Sequence, residues 1–343
     1  MRRLHTLVVV AAIGVLGLPA AIGSNAALAA TPLPAHVYAP YFETWTSDSL
    51  TTLAQRSGAR YFTLAFLETT GKRSCTLAWN GVKTQTVASG RYLSDIASLR
   101  ALTGDVIPSL GGWSADQGGT EIGDSCTDVN AIVTAYEELV TTYGVTRLDM
   151  DIEGRSLTKP AGIDRRNRAI KLLQDWATST GRPLQVQYTL PTNANGLGAD
   201  SLAVLQNAVA NGVRIDLVNP MVFDYYDKVT TEMGGAAVAA SQGLHTQLGT
   251  LLPGKSSGQL WAIQGATMMN GVDDYPGRTE VTDLGDAQQL LGFARANGMS
   301  SLSIWAIQRD NGSCPGGRAA NDCSGIAQAD WAFTQLLQPF TGP

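Results

Sequence analysis

The sequence predicts an α/β chain folded as one (β/α)8 barrel, a TIM barrel of a single domain, and three observations point to it. Short β-rich runs alternate with amphipathic stretches of helical length, giving eight strand-helix pairs between residues 36 and 337. No Pro-, Ser- or Gly-rich linker and no break in composition divides the chain, so one closed barrel is favoured over an open sheet or two domains. The run from Gly144 to Gly154 sets Asp149, Asp151 and Glu153 alternately with Leu148, Met150 and Ile152. As a strand, it has one apolar and one acidic face.

The elements follow in order. Arg2 and Arg3 precede an apolar run of 16 residues, Leu7 to Ile22, and then the small residues Ala26-Ala27-Leu28-Ala29-Ala30. That order is a secretory signal over residues 1–30, which leaves 31–343 as the barrel and places the protein outside the cell. The run is too short, and too interrupted by Gly14, Gly17 and Pro19, for a membrane anchor. His36–Tyr41 and Arg60–Leu67 are the first two strands, with Asp48 capping the helix between them. Asp105–Leu110 is the third, preceded by a helix over Leu93–Leu102. The helix Asp128–Tyr143 leads into the carboxylate strand, the fourth, and the helix Ile163–Thr180 ends at Gly181 before the fifth, Leu184–Leu190. Ser201–Ala210 is helix and Arg214–Val222 strand. Helix Val238–Leu248, strand Gln259–Ala266, helix Asp286–Asn297, strand Ser301–Ile304 and helix Ile326–Leu337 complete the series.

Three like charges about 6.6 Å apart along a strand repel one another unless they share protons or bind something. A calcium loop counted from Asp149 requires a Glu at its twelfth position, which here is Pro160. A solvated edge strand is the other ordinary explanation, and the residues at the remaining strand ends argue against it.

Composition narrows the function. The chain has 343 residues, 44% of them hydrophobic, and a formal charge of −5, which becomes −7 once the two arginines of residues 1–30 are removed. An acidic exported protein is a poor partner for nucleic acid, and no later segment approaches a membrane span. Cys75, Cys126, Cys314 and Cys323 fit no zinc spacing, and only His36 and His245 remain after the signal, so no metal and no cofactor is expected. Four cysteines in an exported chain form two disulfides by default. Cys314 and Cys323 are nine residues apart across a Gly- and Asn-containing loop and pair easily, which leaves Cys75 with Cys126. The expected state is a monomer.

In a barrel of this kind function lies where strands run into their following loops. Glu153 ends the fourth strand, Ser109-Leu110-Gly111-Gly112 the third, Asn219-Pro220-Met221-Val222-Phe223-Asp224-Tyr225-Tyr226 the sixth and Trp305 the eighth. These residues resemble glycoside hydrolase family 18, the chitinases and related enzymes that cleave at N-acetylglucosamine. Ser109-Leu110-Gly111-Gly112 matches that family's S-x-G-G, and Asp149-x-Asp151-x-Glu153 matches the end of its D-x-x-D-x-D-x-E. Tyr38-Ala39-Pro40-Tyr41 and Ser303-Ile304-Trp305 are similar to the first and last strands of bacterial chitinase domains, so the resemblance spans nearly the whole mature chain. It implies that Glu153 is the general acid and later base, that Asp151 orients the substrate acetamide, and that Trp305 floors the sugar pocket. Asp149 joins the catalytic set, while Tyr41, Gly112, Met221 and Asp224 fall on the substrate side. Thr146 stands where the family has its first motif Asp, and Phe223 where its strand-six motif has Tyr, so Tyr225 is the expected source of the missing hydroxyl.

Trp45, Trp113 and Tyr226 also stand near strand ends, and about half of such aromatics are expected to touch ligand. Gln187 either bonds sugar or is an interior amide. The function implied is a secreted chitinase acting on chitin or N-acetylglucosamine oligosaccharides. An endo-β-N-acetylglucosaminidase trimming N-glycans shares the resemblance, and a non-catalytic chitin-binding lectin on the same barrel is the alternative from another class. Retention of Glu153 counts against the lectin.

Overall fold

The computed structural model describes residue 30 and residues 32–230, 232–274 and 279–342. Nearly all of the expected signal, residues 1–29, lies outside them. Eight barrel positions are filled by β1, which comes in two pieces, Val37–Tyr38 and Tyr41–Glu43, then β2 (Tyr61–Thr69), β3 (Asp105–Gly111) and β4 (Arg147–Asp151). β5 (Gln185–Asn193), β6 (Leu217–Met221), β7 (Gly265–Met269) and β8 (Ser301–Trp305) follow. Each pairs in parallel with the next, the first piece of β1 joins β8, and the second joins β2, so the sheet closes as the expected (β/α)8 barrel.

The break in β1 falls at Pro40, which has no N–H to give to a ladder. Its carbonyl still accepts from Thr63 N–H at 3.0 Å, so the seam stays paired. Around the barrel run α1 (Leu50–Ser57), α2 (Leu93–Ala101), α3 (Val129–Tyr143) and α4 (Pro160–Ser179). α5 (Ala199–Ala210), α6 (Met233–Leu251), α7 (Leu284–Asn297) and α8 (Ala332–Leu337) complete the ring. Leu148 and Met150 turn outward into the apolar layer beneath these helices, and Asp149 and Asp151 turn into the barrel. β4 is therefore interior, with both faces buried, and not a solvated edge.

Several boundaries differ from expectation; β4 stops at Asp151, so Glu153 lies two residues beyond it, at the start of the 3-10 turn Gly154–Thr158, and α6 begins at Met233 rather than Val238. Ser49, not Asp48, caps α1, with its side chain accepting from Thr52 N–H. The carboxylate of Asp95 on α2 takes Leu50 N–H at 2.7 Å and Thr51 N–H at 3.1 Å, so the acid at this helix start comes from the neighbouring helix. The expected strand Gln259–Ala266 begins instead as a helical turn, Ser257–Trp261, because Ser256 and Gln259 form a reciprocal capping box. β6 starts only at Leu217, since Arg214 is held outside the sheet by Gln174, Leu184 and Asp216. α8 starts at Ala332, where Asp310 accepts Phe333 N–H at 3.1 Å and Thr334 N–H at 2.7 Å.

Cys75 pairs with Cys126, tying the loops after β2 and β3, and Cys314 pairs with Cys323 after β8. The bridges span 51 and 9 residues, so loop-closure entropy makes the first stabilise more, by about 1.5 kcal/mol. Denaturant titration should place Cys75→Ser/Cys126→Ser below Cys314→Ser/Cys323→Ser by roughly that amount. Equal midpoints would remove the argument.

Candidate active site

A cavity of about 600 Å³ opens at the C-terminal ends of the barrel strands. Of the residues expected to act, Glu153, Asp151, Tyr41, Met221, Asp224 and Trp305 line it. Asp149 lies one layer deeper and is closed to solvent. It accepts hydrogen bonds from Thr189 (2.6 Å), Ser109 (2.7 Å), Tyr41 (2.8 Å) and Gln187 (3.0 Å). The parallel register explains the convergence, because β3 puts Ser109 and β5 puts Gln187 level with Asp149. Burial still holds its carboxyl above the ordinary carboxylate range against four donors.

The Asp151 and Glu153 carboxyls lie side by side, each acting on the other's proton affinity. Burial, then the charges of Glu153 and Asp149, pushes Asp151 well above its usual range, while burial carries Glu153 up to about 7. Two buried carboxyls in contact cannot both ionise cheaply, so the pair holds a proton near neutrality.

The wall opposite is aromatic. Trp305 stacks on Phe66 at 5.5 Å and 14°, and its ring centroid lies 5.5 Å from Tyr41 and 6.1 Å from Trp45. Trp113 and Tyr226 line the cavity and are 60% and 54% exposed, far beyond the usual exposure of a core aromatic.

The glycines after β3 are needed for packing rather than for substrate. A Cβ on Gly112 would stand 2.6 Å from the Phe66 ring, and one on Gly111 would stand 2.0 Å from the Asp151 carbonyl oxygen. Both have positive φ, at 83° and 106°. Gly112 does not line the cavity, and neither does Gln187, whose amide is the interior one of its two readings.

Tyr225 is the main correction. It is 7% exposed, packs in the core beside Met233, and does not line the cavity, whereas Tyr226 does. Asp224 and Tyr226 have φ of 49° and 53°, which breaks strand alternation and turns Tyr225 inward with its N–H on Glu280 at 2.8 Å. Asp224, Asp273 and Glu280 bring ligand atoms within 4.8 Å of one another, a possible cation-holding group among the described residues. Both Glu280 oxygens already accept backbone N–H groups of Tyr225 and Tyr226, so this group fastens the strand-six loop. Sequence reasoning had no route to Asp116, which accepts the Glu153 N–H, because its helix, Trp113–Gly118, is too short to show a period.

A barrel with a proton-sharing acid pair at its strand ends, faced by an aromatic wall, is the arrangement of a glycoside hydrolase. The model described as "Glycosyl hydrolases family 18" matches residues 37–274, and the chain belongs to that family. It is 34% identical over 322 residues to a protein described as a probable bifunctional chitinase/lysozyme from Escherichia coli (strain K12), covering 90% of this chain and 35% of that one. It is 35% identical over 287 residues to Endochitinase 11 of Metarhizium anisopliae, covering 81% of this chain and 53% of that one. Among solved structures, catalytic-site mutants of active domain 2 of a Pyrococcus furiosus chitinase, complexed with chito-oligosaccharides, are similar at TM-score 0.77 and 28% identity. There the match covers 93% of this chain and 97% of that one.

Glu43, at the end of β1, gives a measurable pH effect. It is closed to solvent, lies outside the cavity lining, and neither carboxyl oxygen has a hydrogen-bond partner. Burial raises it to about 8, opposed by the charge of Arg309. The unfolded chain releases this proton near 4.3, so its contribution to stability is greatest below that value and falls as pH rises to about 8. Glu43→Gln should therefore melt close to wild type at pH 4 and ~5 °C higher at pH 8. A melting difference that does not change with pH would contradict this.

Proposed function

We propose that the chain is a secreted chitinase that hydrolyses β-1,4-linked N-acetylglucosamine polymers with retention of configuration, using the substrate's own acetamide. The observation that carries this reading is that Asp151, the last residue of β4, and Glu153, two residues beyond it, line the same cavity side by side. A two-carboxylate retaining enzyme needs its nucleophile about 5–5.5 Å from the acid, across the glycosidic bond. Asp151 approaches from the same side as Glu153 and is badly placed to attack. The 2-acetamido oxygen attacks the anomeric carbon instead, and the glycosidic bond breaks as Glu153 gives its proton to the leaving oxygen. Asp151 accepts the acetamide N–H and offsets the positive charge of the cyclic intermediate. Water then adds at the anomeric carbon, giving its proton to Glu153, and the acetamide is restored.

Of the fallback nucleophiles, Asp310 is occupied at the start of α8 and Glu43 is outside the cavity lining. Asp224 remains the one to test. Tyr226 replaces Tyr225 as the phenol available to the acetamide carbonyl. The exposed Trp45, Trp113 and Tyr226 suit a polymer extending past the cleaved bond better than a short N-glycan stem.

Glu153→Gln should lower turnover on chitin oligomers by a factor of roughly 10² to 10⁴ and leave binding intact. Proton NMR should find the β-anomer as first product, and fully deacetylated chitosan should resist cleavage. An α-anomer, or wild-type turnover in the Gln variant, would end the assignment. Retention on chitin beads without cleavage would indicate the lectin, and cleavage of an N-glycoprotein but not chitin would indicate the endoglycosidase.

The acid also sets a pH limit. Because Glu153 must carry its proton to act and titrates at about 7, kcat/KM should fall as pH rises through that value. A rate still level at pH 9 would show a different group to be the acid.

A further inference from the structure

Asp116 stands in the short helix Trp113–Gly118, directly behind the acid pair and closed to solvent. One of its oxygens, Oδ2, accepts the Glu153 N–H, and the other, Oδ1, is 3.0 Å from Ser156 Oγ. The same Ser156 hydroxyl is 2.6 Å from Asp124 Oδ2, which is paired with Lys159 Nζ at 2.8 Å.

The hydroxyl has one hydrogen for two acid neighbours. The ion pair with Lys159 keeps Asp124 an acceptor, and its contact is the shorter, so the Ser156 hydrogen points there. The remaining contact is favourable only if the hydrogen between Asp116 and Ser156 belongs to Asp116.

We propose, on the reading that Glu153 is the catalytic acid, that Asp116 is a positioning residue acting as a neutral carboxylic acid. It donates from Oδ1 to Ser156, accepts the Glu153 N–H at Oδ2, and so clips the backbone of the acid to a fixed support. The support is anchored at its far end by the Asp124–Lys159 pair.

The surroundings favour the neutral form. Asp116 faces Glu121 and Arg166 on one side, Asp151 and Glu153 on another, and Asp124 with Lys159 behind Ser156. Arg166 is committed to Glu121 through two hydrogen bonds, at 2.7 and 2.9 Å. Burial first, and then the Glu121 charge, holds the Asp116 carboxyl well above its usual range. A neutral Asp116 also adds no charge beside Glu153, so the clip fixes position without altering the acid's proton affinity.

Asp116→Ala, Asp116→Asn and Ser156→Ala test this. Asp116→Ala removes the clip and should lower kcat on chitin oligomers about 10- to 100-fold with KM little changed. Asn offers an N–H to Ser156 and a carbonyl to Glu153, so it should recover most of the loss with the alkaline limb of the pH profile unmoved. Ser156→Ala cuts the clip at its other end and should lower kcat less, which serves if Asp116→Ala fails to fold. Independent of activity, amide exchange at Glu153 should be slow in wild type and Asn and fast in Ala. A folded Asp116→Ala with wild-type kcat and only a lower Tm would make the residue merely structural. An Asn variant as damaged as Ala, or with its alkaline limb moved to lower pH, would show that a charged carboxylate is needed. A wild-type chain that cleaves nothing, with Glu153 amide protection unchanged in Asp116→Ala, would overturn the clip and the functional reading separately.

Discussion

The crowding of the Asp151 and Glu153 carboxyls in a buried site is the constraint to which the rest of the molecule answers. Two acids so placed are tolerated only if one proton is retained between them, which a site shielded from water and lacking a nearby cation favours. The closed barrel supplies the shielding, and the donors gathered around Asp149 occupy the acid below, so that the column of three carboxyls does not repel itself apart. Arg166, the buried guanidinium that acts on Asp116, is held by Glu121.

The barrel interior reflects the same demand. Where such barrels are usually filled with branched apolar side chains, this one carries Thr63, Ser109, Gln187, Thr189, Asn219 and Thr267. Asn219 links Thr189 at 3.0 Å to Thr267 at 2.7 Å, and Thr189 bonds Asp149, so a continuous polar network runs across the barrel under the cavity. A methyl-filled interior would leave Asp149 with an uncompensated charge, at a cost of several kcal/mol.

Much of this was legible in the residues themselves. The alternation of acids and apolar residues in β4 fixed its two faces, the strand-end motifs placed Glu153, Asp151 and Trp305 at one mouth, and the cysteine spacing gave both bridges. What was not legible depended on backbone conformation or on partners distant in sequence. Two residues with positive φ put Tyr226 rather than Tyr225 at the cavity, and no side-chain pattern signals that. Asp95 reaches α1 from another helix, and Asp116 reaches Glu153 across 37 positions, both invisible to local periodicity. The helical turn at Ser257 was in principle readable from Ser256 and Gln259, whose spacing is that of a capping box.

The seam at Pro40 has a consequence for how the molecule comes into being. Ser303 donates to the Ala39 carbonyl at 2.8 Å across 264 positions of sequence, and Tyr38 N–H reaches the Thr341 hydroxyl at 2.7 Å across 303. Contacts of such range are the last and slowest to form, because the loop they close spans almost the whole chain. Tyr41, a donor to Asp149, sits on the strand that waits for them. During synthesis the cleft therefore has no finished geometry until β8 is available, and a growing chain passes most of its length with that cleft open.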